Sequence, residues 1–213
     1  MLEFRNVCTN KKKFSLNNIS FTAESGFITA ITGTNGAGKT TLLSLITKEE
    51  SKYTGEILFD GVDIRTDHDK FRSMLGIVCD ERYFFDGFTA NENVKLLSHF
   101  YPEWNNDIFK EQMKAMGISG GRKLSYLSRG EYIRFQLAFA MAHGAKLYIM
   151  DEATAGMDPI YRKDFFKSVH ELLAANPDVT IIMTTHIEED IRKHMDYIGV
   201  LDKGNLISFS EVE

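Results

Sequence analysis

Apolar residues arrive along this chain in two rhythms. Leu2-Glu3-Phe4 and then Ile19-Ser20-Phe21-Thr22-Ala23 alternate apolar with polar, which predicts antiparallel strands ending at Gly26. The runs Leu147-Tyr148-Ile149-Met150 and Thr180-Ile181-Ile182-Met183-Thr184 are continuous, as in strands buried on both faces of a parallel sheet. Residues 27–31, 75–79 and 197–201 read as further strands, and 55–59 as one closed by an Asp60-Gly61 turn. Helical spacing takes over from Thr89 to about Gly117, where Val94, Leu97, Phe109, Met113 and Met116 stand apolar among charges. Ser128 and Glu131 form a capping-box spacing before Ile133, Phe135, Leu137 and Ala140. Asp158 followed by Pro159 opens a helix that stops near Asn176-Pro177. Strands alternating with helices predict an α/β fold with a mainly parallel sheet.

At 213 residues the chain is long enough for one good core, with room for a smaller appended lobe. No apolar run is long enough to span a bilayer, and the start lacks the apolar segment of a signal peptide, so a cytosolic location is expected. Cys8 and Cys79 lack metal-ligand spacing and read as reduced packing residues. The 25 basic against 30 acidic residues argue against nucleic acid as the principal partner, since only Lys11-Lys12-Lys13 forms a basic cluster.

Chemistry concentrates at strand ends. Gly33-Thr34-Asn35-Gly36-Ala37-Gly38-Lys39-Thr40-Thr41 matches G-x-x-x-x-G-K-[ST] between the strand at 27–31 and a helix expected from Lys39 to Ile46. Its glycines let successive N–H groups turn inward around a β-phosphate. Lys39 reaches the β- and γ-phosphates, and the Thr40 hydroxyl is placed for Mg²⁺. Asp151 and Glu152 follow the apolar strand at 147–150, at the carboxyl end of a sheet strand where α/β sheets bind ligands. Asp151 suits Mg²⁺ and Glu152 a general base that polarises water. His186 follows the run 180–184 in the same way. The helix N-terminus at Ser128 and Gly130 is both a cap and a phosphate-binding geometry.

Taken in order, these segments resemble the ATP-binding cassette ATPases, the nucleotide-binding subunits of ABC transporters. Gly33 to Thr41 is similar to the family's Walker A loop, Leu127 to Glu131 to its LSGGQ signature, and Leu147 to Glu152 to its Walker B strand. Ala155 to Asp158 resembles the D-loop, and His186 the switch histidine. The resemblance implies a P-loop NTPase core at about 1–87 and 145–213, a helical lobe at about 88–144, and Mg²⁺-dependent ATP hydrolysis. It implies a head-to-tail dimer in which Ser128 and Gly130 serve a partner's nucleotide and Asp158 lies at the interface. It also implies a separate transmembrane subunit, which would hold the chain on the cytoplasmic face of the membrane. Export is the expected direction, on the grounds that no further domain follows Glu213. The alternatives are a non-transport relative acting on a ribosome, DNA or an assembly scaffold, and a small-molecule kinase, which would leave Leu127 to Glu131 and His186 unexplained.

Three features depart from the family pattern. Asp80 falls where the family has its Q-loop glutamine, so Mg²⁺ contact there would be made by a carboxylate. Arg129 and Glu131 replace a glycine and a glutamine of the signature. The adenine-stacking aromatic has no clear match, with Phe14 the nearest candidate. The aromatic run Tyr83-Phe84-Phe85 is expected either to pack one lobe on the other or to line the groove for a membrane subunit.

Overall fold

The computed structural model describes residues 1–10, 14–48 and 52–213; the Lys11 to Lys13 cluster lies outside them. Among the described residues ten strands form two sheets. The first is antiparallel and combines β1 (Leu2–Cys8), β2 (Ile19–Ala23), β4 (Thr54–Phe59) and β5 (Val62–Asp63) in the order β2-β1-β4-β5. Alternation along β1 and β2 puts Leu2, Phe4, Ile19 and Phe21 on one buried face, where Phe4 stacks on Phe21 with ring centroids 4.6 Å apart.

The second sheet runs β10-β9-β3-β8-β7-β6, built from β3 (Ile28–Thr32), β6 (Leu75–Cys79), β7 (Leu147–Asp151), β8 (Thr180–Thr184), β9 (Tyr197–Asp202) and β10 (Asn205–Glu211). All of its neighbours are parallel except β10 on β9. Every residue of β8 is buried, which is why its sequence shows no alternation. Register pairs Cys79 with Asp151 and Asp151 with Thr184. Three loops therefore leave the sheet side by side at the carboxyl ends of β6, β7 and β8.

Helix α1 (Lys39–Thr47) buries Leu42, Leu43, Leu45 and Ile46 in a cluster shared with the antiparallel sheet. On the other face, α3 (Ala90–Leu97), α4 (Asn106–Ala115) and α5 (Arg129–Ala142) share one continuous cluster with Ile28, Ala30, Tyr148, Met150, Ile181 and Met183 of the sheet. Helix α5 lies between α4 and β6 and buries residues on every side. Phe84 inserts among Phe135 and Phe139 at 4.9 and 4.8 Å, whereas Tyr83 and Phe85 stay more than half exposed. The aromatic run thus divides between core packing and surface.

The remaining helices are α2 (His68–Ser73), α6 (Pro159–Ala175) and α7 (Glu188–His194). Phe27, expected in a strand, falls just outside β3 and packs edge-on against Tyr197. Helices α2 and α7 bury a single residue each, Phe71 and Asp190, so they carry no hydrophobic periodicity to read.

Candidate functional site

The phosphate-loop sequence folds into the turn its glycines require. Gly33, Gly36 and Gly38 all have φ between +84 and +146°, a region that side chains rarely adopt. A Cβ on Gly33 would lie 2.2 Å from the Leu201 carbonyl oxygen, and one on Gly38 would lie 2.7 Å from the Phe14 ring. At Gly36 nothing stands within 4 Å of that position, so the loop opens toward solvent there. The loop is tied internally by the Ala37 N–H donating to Thr34, and externally by the Gly204 N–H donating to the Ala37 carbonyl.

Helix α1 begins at Gly38, which supplies no side chain to its first-turn N–H groups. Helices α3, α4, α5 and α6 all have such a cap, from Thr89, Asn105, Ser128 and Asp158. The first N–H groups of α1 are therefore left for an anion, aided by the positive end of the helix dipole. Lys39 is buried, and its Nζ donates to the carbonyls of Gly33 and Thr34 at 2.8 and 3.3 Å. It is held at the mouth of the loop by weak neutral acceptors that a phosphate would displace. Phe14, Asn35, Gly36, Gly38, Lys39, Thr40, Thr41 and Glu152 line one cleft together.

A neighbouring cleft of about 320 Å³ brings together Thr40, Asp80, Asp151, Glu152 and Arg129. Thr184 organises its floor. Its hydroxyl donates to Asp151 Oδ1 at 2.5 Å and accepts from the Glu152 N–H at 2.9 Å, while its carbonyl accepts from the same N–H at 3.2 Å. Glu152 has φ +48°, a left-handed conformation that costs a non-glycine residue about 1–2 kcal/mol. The surroundings hold it there. His186 Nδ1 stands 4.0 Å from Glu152 Oε1, with both side chains substantially exposed. Arg129 spans the cleft, its Nε donating to Asp80 Oδ1 at 2.7 Å and its Nη2 to the Glu152 carbonyl at 3.3 Å.

Ser128, Gly130 and Asp158 line neither cleft. Ser128 caps α5 in a full capping box with Glu131: the Ser128 hydroxyl oxygen accepts from the Glu131 N–H, and the Glu131 carboxylate accepts from the Ser128 N–H. Burial raises the Glu131 carboxyl, but hydrogen bonds from Arg122 and Ser128 outweigh it and hold the group below the ordinary glutamate range. Arg134 donates to the Gly130 and Met116 carbonyls and lies over the Tyr161 ring at 4.2 Å, which fixes α5 against α6. Asp158 caps α6 by accepting from the Ile160 N–H. Strand order and register thus gather Thr40, Asp80, Asp151 and Glu152 at one cleft with His186 beside Glu152, while Ser128, Gly130 and Asp158 line neither cleft.

Two contributors escaped sequence reasoning. Thr184 looked like the end of a buried strand, and only its register with Asp151 exposes its role. Arg129 looked like a departure from a glycine, with nothing in sequence to pair it with a residue 49 positions away.

Residues 16–155 match the family described as ABC transporter. The chain belongs to the ABC transporter family. It is 31% identical over 198 residues to the ABC transporter ATP-binding protein YtrB of Bacillus subtilis (strain 168), covering 93% of this chain and 67% of that one. It is 30% identical over 208 residues to the methionine import ATP-binding protein MetN of Haemophilus influenzae (strain 86-028NP), covering 93% of this chain but 60% of MetN. Among solved structures, an ATP-binding subunit of an ABC transporter superposes with a TM-score of 0.88 at 19% identity, covering 100% of this chain and 90% of that one. An ATP-binding cassette solved as a dimer in a post-hydrolysis state with ADP and Pi superposes at 0.84 with 22% identity, covering 100% of this chain and 99% of that one. This chain is accordingly an ABC ATPase domain with the P-loop NTPase fold. Among its described residues no helix is long and apolar enough to cross a membrane.

Proposed function

We propose that this ABC ATPase binds Mg·ATP on the Gly33–Thr41 loop and hydrolyses it to power transport through a separate membrane-spanning subunit. The observation that carries the reading is the shared cleft of Thr40, Asp151 and Glu152 beside a helix N-terminus that no side chain caps. The donor set fits the cation. Thr40 and Asp151 offer hard oxygen ligands, and among the described residues no group of three or more His, Cys, Asp or Glu is gathered to bind a metal unaided. That suits Mg²⁺, which is commonly held by one or two carboxylates together with substrate phosphates. When bound, the cation neutralises charge developing on the γ-phosphate.

The protein groups then divide the work. The loop N–H groups and Lys39 would bind phosphate, Thr40 and Asp151 would hold the cation, and Phe14 would stack on the base. Asp80, which lines the same cleft, would add a carboxylate to that set. Glu152 takes a proton from the attacking water, and His186 orients it or bonds the γ-phosphate. The site is then completed by a second ATP-binding subunit, whose Ser128 and Gly130 face this nucleotide while Asp158 lies between the two. The groove lined by Tyr83, Phe84, Phe100 and Tyr101 is the surface for a helix of the membrane subunit, with Tyr83 and Phe100 exposed to receive it. Such a subunit keeps the chain at the cytoplasmic face of the membrane. Export is the direction expected from the sequence. MetN, an import protein, is about as similar as YtrB, so direction is assigned to the membrane subunit.

Glu152→Gln tests the reading. It should lower ATP turnover by about a hundredfold or more, the span of general-base catalysis, while ATP binding and ATP-dependent dimerisation persist. Turnover at the wild-type rate would remove Glu152 from the chemistry.

A further inference from the structure

Arg129 lies at the first turn of α5, yet its guanidinium crosses to two loops that leave the main sheet. One bond goes to Asp80, after β6, and the other to the backbone carbonyl of Glu152, after β7. The Glu152 peptide is consequently held on both sides. Thr184 accepts its N–H, and its carbonyl accepts from both Arg129 and the Ala155 N–H. This residue carries the strained φ, and its side chain reaches toward His186.

The pair adds little to stability as such. Asp80 is 68% exposed and Arg129 37%, and exposed ion pairs of this kind are weak. Its location gives it another use. Asp80, Glu81, Asp151 and Glu152 bring four carboxylates around one cleft that Lys48 and Arg129 also line, and Arg129 is the cation hydrogen-bonded to two of those residues. A rigid planar fork can satisfy a carboxylate and a carbonyl at once, which a lysine ammonium does less well.

We propose that Arg129 is a positioning residue for the hydrolytic centre of its own chain, holding the Asp80 carboxylate and the Glu152 backbone in register from the signature helix. The proposal rests on the reading of Glu152 as the base. It departs from the trans role expected of neighbouring Ser128 and Gly130, because Arg129 turns inward to the site its own chain builds. Docking of α5 is thereby linked to the geometry of the carboxylates.

The test compares Arg129→Ala, Arg129→Lys and Asp80→Asn in the full chain. Hydrogen exchange of the nucleotide-free protein is the first readout. Arg129→Ala should speed exchange in segments 80–86 and 152–156 and leave β3 and α6 unchanged. Asp80→Asn should affect the first segment only, and the double variant should be no worse than Arg129→Ala, because the two residues act as one unit. The second readout is kinetic. Arg129→Ala should lower kcat about tenfold with KM for ATP within about threefold, the pattern of lost positioning, and Arg129→Lys should fall between. Unchanged exchange in Arg129→Ala, together with loss of the ATP-dependent dimer in the Glu152→Gln background, would overturn the proposal and place Arg129 on a partner's nucleotide. Wild-type kcat in Arg129→Ala would also overturn it. Full turnover in Glu152→Gln alone would sink the reading of the base, while the exchange result still decides whether Arg129 holds the two loops.

Discussion

Replacing Thr184 with valine removes one hydroxyl and keeps the shape of a side chain that is fully buried. Two contacts disappear, the donation to Asp151 Oδ1 and the acceptance from the Glu152 N–H. The N–H retains the Thr184 carbonyl at 3.2 Å, so the main cost falls on the carboxylate. A hydrogen bond to a charged group contributes about 1.5–3 kcal/mol, and we take about 2 kcal/mol for the substitution. For a domain of this size that lowers Tm by about 4–8 °C. Catalysis should suffer more than stability, because Asp151 and Glu152 lose the group that sets their mutual orientation. Misplacement by about 1 Å can cost a hundredfold, so kcat should fall at least tenfold, while ATP affinity stays within about threefold of wild type. Thr184→Ser keeps the hydroxyl and loses one methyl, at about 0.8 kcal/mol, and should recover most of kcat. Thermal unfolding, equilibrium ATP binding and steady-state phosphate release measure all three quantities. Valine at 184 with kcat within twofold of wild type would refute the claim that this hydroxyl organises the carboxylates.

The other predictions concern the core and the loop. Burial pushes the His143 imidazole down to about 4 from 6.5, and its Nδ1 has no hydrogen-bond partner among the described residues. Because the unfolded chain takes up this proton first, stability is complete above about pH 6.5 and declines toward pH 4, by up to about 1.4 kcal/mol per pH unit. His143→Phe, which preserves the stacking on Tyr101, should flatten denaturant midpoints between pH 6.5 and 5; an unchanged slope would show that other groups titrate. Gly38→Ala forces a Cβ against the Phe14 ring at φ +115° and should weaken ATP binding at least about tenfold by titration. Adding Phe14→Ala removes the ring contact but leaves the backbone strain and the Leu16 contact at 3.0 Å, and it deletes the proposed base-stacking group, so ATP binding should not recover.

What the sequence revealed and what it hid follow from how local each signal is. The strands at 75–79 and 180–184 appear with their expected bounds, because burial of every residue of β8 and of all but Ile77 in β6 leaves a short, largely apolar run. The helix after Asp158-Pro159 starts where its cap places it. Strand β10 was invisible, since it is an edge strand with no fully buried residue. In the site, the loop, the Asp151-Glu152 pair and His186 could be found because each abuts a readable strand. Asp80 with Arg129, and Thr184 with Asp151, could not be paired in advance, because the packing of α5 against β6 brings the first pair together and the register of β7 with β8 the second. Helix α5 was legible through its capping box, although residues on all its sides are buried and no apolar stripe marks it.

The hydrogen bond from the Gly204 N–H to the Ala37 carbonyl has a practical bearing on how this domain can be cut. A Cβ at Gly204 would lie 2.0 Å from the Ser15 carbonyl, so the β9–β10 turn presses on the segment that carries Phe14. Nucleotide recognition is thus buttressed by a hairpin that lies beyond every motif in the chain. A fragment ending just after His186 would keep each signature of the family and lose the support that shapes its first one. The smallest unit competent to bind ATP is set by this distant brace rather than by the span of the motifs.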